Sequence, residues 1–426
     1  MSYFSYKNQS LHCEQVELNK LADEFGTPLY VYSASAIRDS FRRYANALSD
    51  RAHLVCYAVK SNSNLAVLNL LAKEGAGFDI VSEGELRRVL KAGGDPAKVI
   101  FSGVGKTARE ITFALENNIR SFNVESRMEL VRLNDIASNM NKVATVSMRV
   151  NPDVDANTHP YISTGLKENK FGIDIKEAPK VYELANSLSH IDVHGIDCHI
   201  GSQLVDTQPF LDALDRLLAL KDELTGAGIN ITSLDLGGGV GVVYDDELEP
   251  DLEGYLTAVK RRVSEDLELM FEPGRFISAN AGVLLTEVQY LKRGDAKNFA
   301  IVDAAMNDNI RPSLYSAYQE VKTLNEPTQS AADEQRQWDI VGPVCESGDF
   351  LAKDRKLAAT AGERLALMSS GAYGFVMSSN YNTRGRAAEV LVDKDCYQLV
   401  REREELDTLF AGESVWQEPN RSRKAS

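Results

Sequence analysis

Between residues 27 and 280, eight short apolar runs recur with amphipathic stretches between them: LVCYAV, FDIV, VIFSG, SFNV, TVSMRV, GIDCHIG, LDLGGG and LELMFEPG. They are rich in Val, Ile, Leu or Phe, and several close on Gly or a polar residue. A strand buried on both faces reads as a continuous apolar run, and such strands belong to parallel sheets covered by helices. The intervening segments, such as SEGELRRVLKAGG and ESRMELVRLNDIA, carry helical patterning. In the second, Met128, Leu130, Val131, Ile136 and Ala137 are expected to form the apolar stripe. Eight strands with helical crossovers predict a (β/α)8 barrel over residues 27–280.

Beyond residue 280 the texture changes. GVLLTEVQYLKR, FAIVDA, QWDIVGPV and AAEVLVD alternate or carry β-branched residues, and the turn-rich TLNEPTQSAADEQ falls among them. This pattern predicts an antiparallel β domain over 281–426, with residues 1–26 docking on it. A chain of 426 residues is long enough for a barrel of about 250 residues plus a second unit. The net charge of −15 argues against nucleic-acid binding, which relies on basic patches. No charge-free apolar run approaches the roughly 20 residues that span a bilayer, and MSYFSYKNQS lacks the pattern of a signal peptide. Cys13, Cys56, Cys198, Cys345 and Cys396 are scattered, without metal-ligand spacing. A reducing, cytoplasmic setting and no metal site are expected.

Catalytic groups of such barrels sit at the C-terminal ends of the strands. Lys60 ends YAVK, Asp79 lies in FDIV, and His199 precedes the Gly201-Ser202-Gln203 turn. Gly238 is the middle glycine of LDLGGG, and Glu272 is followed by Pro273, Gly274 and Arg275. All would converge on one rim. A lysine at the end of an apolar strand either reaches solvent or, desolvated, becomes a nucleophilic amine. Three glycines make a tight turn or let backbone N–H groups approach a phosphate. Glu272 pairs with Arg275 or faces a cofactor's ring nitrogen. His199 is a core histidine or stacks on an aromatic ring. In the second domain, Arg311 and Tyr315 share NIRPSLYSAY, Cys345 and Glu346 follow DIVGPV, and Tyr373 lies in SSGAYGF. Taken singly, these read as ordinary loop residues, and Cys345 as an inert thiol.

Taken in order, YAVKSN, HIGSQ, LDLGGG and EPGR resemble the fold-type III pyridoxal-phosphate decarboxylases, whose barrel is alanine-racemase-like. DAAMNDNIRPSLYSAYQ, VGPVCESGD and GAYGF narrow the resemblance to the diaminopimelate decarboxylase branch, over about residues 25–395. The resemblance implies pyridoxal 5'-phosphate held covalently by Lys60. Asp79, His199, Ser202, Gly238, Glu272, Gly274, Arg275 and Tyr373 would surround the cofactor, with Glu272 on the pyridine nitrogen. Arg275, Arg311 and Tyr315 would hold a distal carboxylate, Glu346 a distal amine, and Tyr373 would touch cofactor and substrate. Cys345 would donate the proton that replaces CO2. It further implies a homodimer whose CESGD segments reach into each other's sites, a lid formed by HPYISTGLKENKFGI, and conversion of meso-2,6-diaminopimelate to L-lysine. Three rival readings fit these residues less well. An ornithine or arginine decarboxylase leaves Arg311 without a distal carboxylate. An alanine-racemase-like enzyme places an arginine where Glu272 stands. A non-catalytic binding protein has no use for Lys60, Glu272, Cys345 and Tyr373 together.

Overall fold

The structure is a computed structural model that describes residues 3–154, 170–326 and 335–417. The proposed lid, HPYISTGLKENKFGI, lies outside the described residues except for its last four. All eight apolar runs are strands: β1 (His53–Ala58), β2 (Gly77–Ile80), β3 (Val99–Phe101), β4 (Ser121–Val124), β5 (Ala144–Asn151), β6 (Ile191–Asp197), β7 (Ser233–Asp235) and β8 (Glu268–Phe271). Each pairs in parallel with the next, and Leu269 of β8 lies opposite His53 of β1, closing the barrel. The fold class is α/β, with a second, separate sheet beside the barrel.

The crossover helices begin where the sequence can cap them. Ser82 accepts a hydrogen bond from the Glu85 N–H, Ser126 accepts from the Glu129 N–H, and Thr107 with Glu110 makes a reciprocal capping box. In the helix Arg127–Asn139 the buried stripe is Leu130, Leu133 and Ala137. Met128 is 79% exposed and Val131 lies at the surface, so the expected stripe is corrected by a rotation of the helix face. Spacings of three and four residues place 130, 133 and 137 on one side, and 128 and 131 fall off it. Strand β8 is followed only by the short helix Arg275–Ser278. The longer helix Ala34–Ala47, which precedes β1, packs on that short helix and on its neighbours Leu65–Lys73 and Leu252–Arg262, completing the outer ring.

The second sheet is organised around the long strand Gly282–Lys292, which is antiparallel to Phe299–Val302, Arg364–Leu367 and Leu29–Ser33. Most pairings are antiparallel, but Phe299–Val302 runs parallel to Arg336–Val341, and Leu29–Ser33 runs parallel to Ala388–Asp393. The residues 29–33 therefore belong to this sheet although they precede the barrel. The N-terminal hairpin Phe4–Lys7 and Ser10–Cys13 docks here, with the Leu11 N–H donating to the Leu324 carbonyl at 2.7 Å. Leu11, Leu18 and Leu21 join Val283, Leu285 and Val390 in one apolar cluster.

Two contacts fix the second domain over the barrel mouth. The Tyr373 N–H donates to the Ser61 carbonyl at 2.8 Å, and the Asn62 side chain donates to the Gly371 carbonyl at 3.1 Å. The loop after β1 is thereby clamped from above. Buried Glu389 adds a third tie, accepting from Tyr32 at 2.7 Å and from Asn64 at 3.0 Å.

Candidate active site

Every barrel strand delivers one polar residue to the same layer at the C-terminal end. In order these are Lys60, Asp79, Ser102, Asn123, Arg149, Asp197, Asp235 and Glu272. Apart from Lys60, all are buried. Buried charges need partners, and the layer supplies several of them internally. Lys60 Nζ donates to Asp79 Oδ2 at 2.7 Å. Burial works against the Lys60 charge, but the carboxylates of Asp79 and Glu272 outweigh it, and the amine's pKa is raised. Arg149 pairs with Glu125 at 3.2 Å. Glu272 Oε1 accepts from the Asn123 amide at 3.1 Å and from the Ser102 hydroxyl at 3.4 Å.

Asp197, Asp235 and Glu272 present oxygens within 4.8 Å of one another. Burial first, then mutual repulsion, raises Glu272 and Asp197 above the usual carboxylate range. Burial likewise pushes Asp235 up to about 7. Burial and mutual repulsion both disfavour three charged carboxylates at this spacing. Asp197 Oδ1, Asp235 Oδ2 and Asp79 Oδ1 have no hydrogen-bond partner.

Above the layer lies a cavity of about 340 Å³, lined by Lys60, His199, Ser202, Arg275, Arg311, Tyr315 and Tyr373 among others. Glycines shape one wall. A Cβ on Gly238 would lie 2.3 Å from the Glu272 carbonyl, and one on Gly239, whose φ is +111°, would lie 2.4 Å from the Gly201 carbonyl. Only glycine lets these backbones close together while leaving N–H groups near the cavity. The Gly238 N–H donates to His199 Nδ1 at 3.2 Å, which identifies that nitrogen as an unprotonated acceptor. Burial, then the cations Arg149 and Lys60, lowers the His199 pKa, and the ring is neutral. Ser202 Oγ accepts from Arg275 Nε at 3.3 Å and from Nη2 at 3.1 Å. Gly274 opens the loop between Glu272 and Arg275, where a Cβ would meet Ala58 at 3.0 Å. Tyr373 has a left-handed φ of +57°, a conformation that costs energy and marks a position fixed by its surroundings.

This set fits pyridoxal phosphate. It offers an amine, a flat neutral imidazole, a carboxylate at one end, and a serine, an arginine and a glycine-lined wall at the other. The second domain contributes Arg311, buried at the start of the short helix Arg311–Tyr315, with Nη1 lacking any hydrogen-bond partner. Cys345 and Glu346 are not among the residues that line the cavity. Both are exposed, with the Cys345 N–H donating to Asn382 at 3.3 Å and Glu346 accepting from the Tyr381 hydroxyl at 3.0 Å. The structure also brings in residues that the motifs did not single out. Tyr244, Glu247, Tyr318 and Met377 line the cavity beside the expected Gln203. Asn123, Asp197 and Asp235 announce themselves as polar residues inside otherwise apolar runs, a signal that the sequence does carry.

Residues 34–279 match the family model described as the pyridoxal-dependent decarboxylase, pyridoxal binding domain. The chain is 60% identical over 416 residues to the diaminopimelate decarboxylase of Pseudomonas aeruginosa, covering 97% of this chain and 99% of that one. It is 58% identical to the enzyme of the same name from Vibrio cholerae, with 97% and 99% covered. Among solved structures, diaminopimelate decarboxylase from Helicobacter pylori complexed with L-lysine superposes with a TM-score of 0.89 at 42% identity, covering 93% of this chain and 98% of that one.

Proposed function

Because this chain belongs to the diaminopimelate decarboxylase family of pyridoxal-dependent decarboxylases, we propose that it converts meso-2,6-diaminopimelate to L-lysine and CO2. The observation that carries the substrate assignment is Arg311: a buried guanidinium, beside Arg275 at the same cavity, with Nη1 unsatisfied and no carboxylate partner among the described residues. A buried cation in that state calls for an anionic group on the ligand, and a distal carboxylate supplies it. Ornithine and arginine bring a cation to the same place, where two guanidinium groups repel it.

Bound pyridoxal phosphate supplies the extended electron sink that accepts the electrons left on the α-carbon when CO2 departs. The chain's residues do the rest. Lys60 holds the cofactor through its amine, with Asp79 fixing the position of Nζ. Glu272 would stand toward the ring nitrogen and favour its protonated state, in which the ring draws electrons most strongly. His199 would offer its neutral ring to the cofactor's face. Ser202, Gly238, Gly274 and Arg275 hold the phosphate end. Arg311 and Tyr315, with Arg275, orient the distal carboxylate, so that binding energy far from the reacting bond sets its direction. Tyr373, which lines the same cavity, would touch both cofactor and substrate.

Two further groups complete the proposal. Cys345 donates the proton from Sγ to the carbon that has lost CO2, and Glu346 binds the distal amine. Within one chain both stand exposed outside the cavity, a placement that supports a homodimer in which each chain's 345–349 loop completes the other's site. Residence in the cytoplasm is proposed on the five scattered thiols, all free. The test is CO2 release from meso-diaminopimelate, ornithine, arginine and lysine. Turnover is expected with the first alone, and preference for ornithine would overturn the substrate assignment.

A further inference from the structure

Tyr244 stands between the two cavity arginines. Its hydroxyl accepts from Arg275 Nη1 at 2.8 Å, and its ring centre lies 4.7 Å from the Arg311 guanidinium and 5.9 Å from that of Arg275. Two buried like charges repel, and among the described residues neither arginine has an ion-pair partner. Burial, with the repulsion of Arg275 adding to it, lowers the Arg311 pKa, while the neighbouring phenol acts in the opposite sense.

An aromatic face and a phenol oxygen attract cations without cancelling their charge. A carboxylate at the same position would hold the arginines too, but it would neutralise them and compete with an incoming anion. The Tyr244 loop is also fixed in advance. The N–H groups of Tyr244 and Asp245 both donate to Glu247 Oε2, at 2.8 and 2.7 Å. Gln203 grips the preceding Val242 through its amide, donating to the carbonyl at 2.6 Å and accepting from the N–H at 3.2 Å. A rigid loop lets the tyrosine hold both guanidinium groups before substrate arrives.

We propose that Tyr244 is a positioning and specificity-determining residue, which holds Arg275 and Arg311 side by side with their charge intact for the substrate's distal carboxylate. The proposal rests on the functional reading above. A pair of ligands separates the two: L-lysine keeps that carboxylate after decarboxylation, and 1,5-diaminopentane lacks it. Binding of each to the cofactor-loaded enzyme is measured by calorimetry, with kcat and KM on meso-diaminopimelate in parallel.

Tyr244→Leu should weaken L-lysine by about ten- to a hundredfold, the worth of a hydrogen bond to a charged group, and leave 1,5-diaminopentane within about twofold. Tyr244→Phe keeps the ring and loses the oxygen, so it should fall between wild type and Tyr244→Leu, and it serves as the probe if the leucine variant does not fold. KM should rise with kcat less affected. If wild type favours L-lysine over 1,5-diaminopentane and both variants discriminate equally well, the role of Tyr244 is wrong and the functional reading stands. A parallel loss for both ligands also overturns it, since that reports general damage to the cavity. If wild type itself binds the two equally, the functional reading fails and the proposal with it.

Discussion

The barrel mouth and the second domain contribute to one cavity in opposite ways. On the barrel side, the ionic groups find much of what they need inside the chain: Lys60 has Asp79, Arg149 has Glu125, and Glu272 has Asn123 and Ser102. On the other side, Arg311 keeps an unsatisfied Nη1, and the Cys345–Glu346 loop stands in solvent. Strands buried on both faces bring partners for most of what their neighbours bury, although Asp79, Asp197 and Asp235 each keep one oxygen without a hydrogen bond. The second domain leaves Arg311, itself buried, with Nη1 unsatisfied for an incoming group. One side is built to hold something permanently, the other to exchange.

Lys60 carries the largest expected effect. Lys60→Ala should reduce turnover on the order of 10⁴-fold or more and abolish the visible absorbance of the purified protein. Borohydride treatment of wild type should fix the cofactor on the peptide that contains Lys60, and label on any other lysine would show that the barrel side is misread. Arg311→Leu should cut kcat/KM on meso-diaminopimelate by roughly 10³- to 10⁴-fold while the cofactor absorbance persists. Loss of both signals together would mean that the two sides are not separable. Arg311→Lys should recover little, because a point charge cannot replace a two-pronged guanidinium.

A mixing experiment sharpens the contrast between enclosed and open groups. Inactive Lys60→Ala and Glu346→Ala chains, refolded together, should regain up to about a quarter of wild-type activity per chain, since half the pairs would hold one intact site under two-fold symmetry. A mixture that stays inactive although mixed dimers are detected would leave the exposed loop without its assigned task. The smallest effect concerns the proton held in the barrel. Asp235 is raised to about 7 from a usual value near 3.9, so the folded chain keeps a proton that the unfolded chain releases between about pH 4 and 7. Stability must then fall as pH rises through that window, by at most about 1.4 kcal/mol per pH unit. In the cofactor-free protein, Asp235→Asn should flatten the melting-temperature profile over this range and melt above wild type at pH 7. An unchanged slope would assign the proton elsewhere.

The barrel was legible because burial on both faces writes itself as uninterrupted apolar runs, and all eight were found. The helix Arg127–Asn139 was also legible in place, though its inward face was set by Leu133 in place of Met128 and Val131. Pattern locates an element more firmly than its rotation, which packing decides. The strand Leu29–Ser33 carried no sign of its partners. LYVYS is buried throughout, as a barrel strand would be, and its pairing depends on segments about 250 and 360 residues away. Motif order and strand ends converged on Lys60, His199, Ser202, Arg275, Arg311, Tyr315 and Tyr373, which the fold gathers around one cavity. Tyr244 was missed because VVYDDELEP offers no turn or strand-end cue, and its position depends on two arginines distant in sequence.

That same strand sets an order of events during biosynthesis. Leu29–Ser33 leaves the ribosome early, yet its antiparallel neighbour Gly282–Lys292 is made only after the entire barrel, and its parallel neighbour Ala388–Asp393 later still. At about 5–20 residues per second, an apolar five-residue strand waits on the order of ten to fifty seconds for its first sheet partner. Its open edges are a template for pairing with other nascent chains throughout that time. Slowing translation downstream of the barrel should therefore lower the soluble yield of this protein, and moving residues 1–33 to the end of the chain by circular permutation should relieve that dependence.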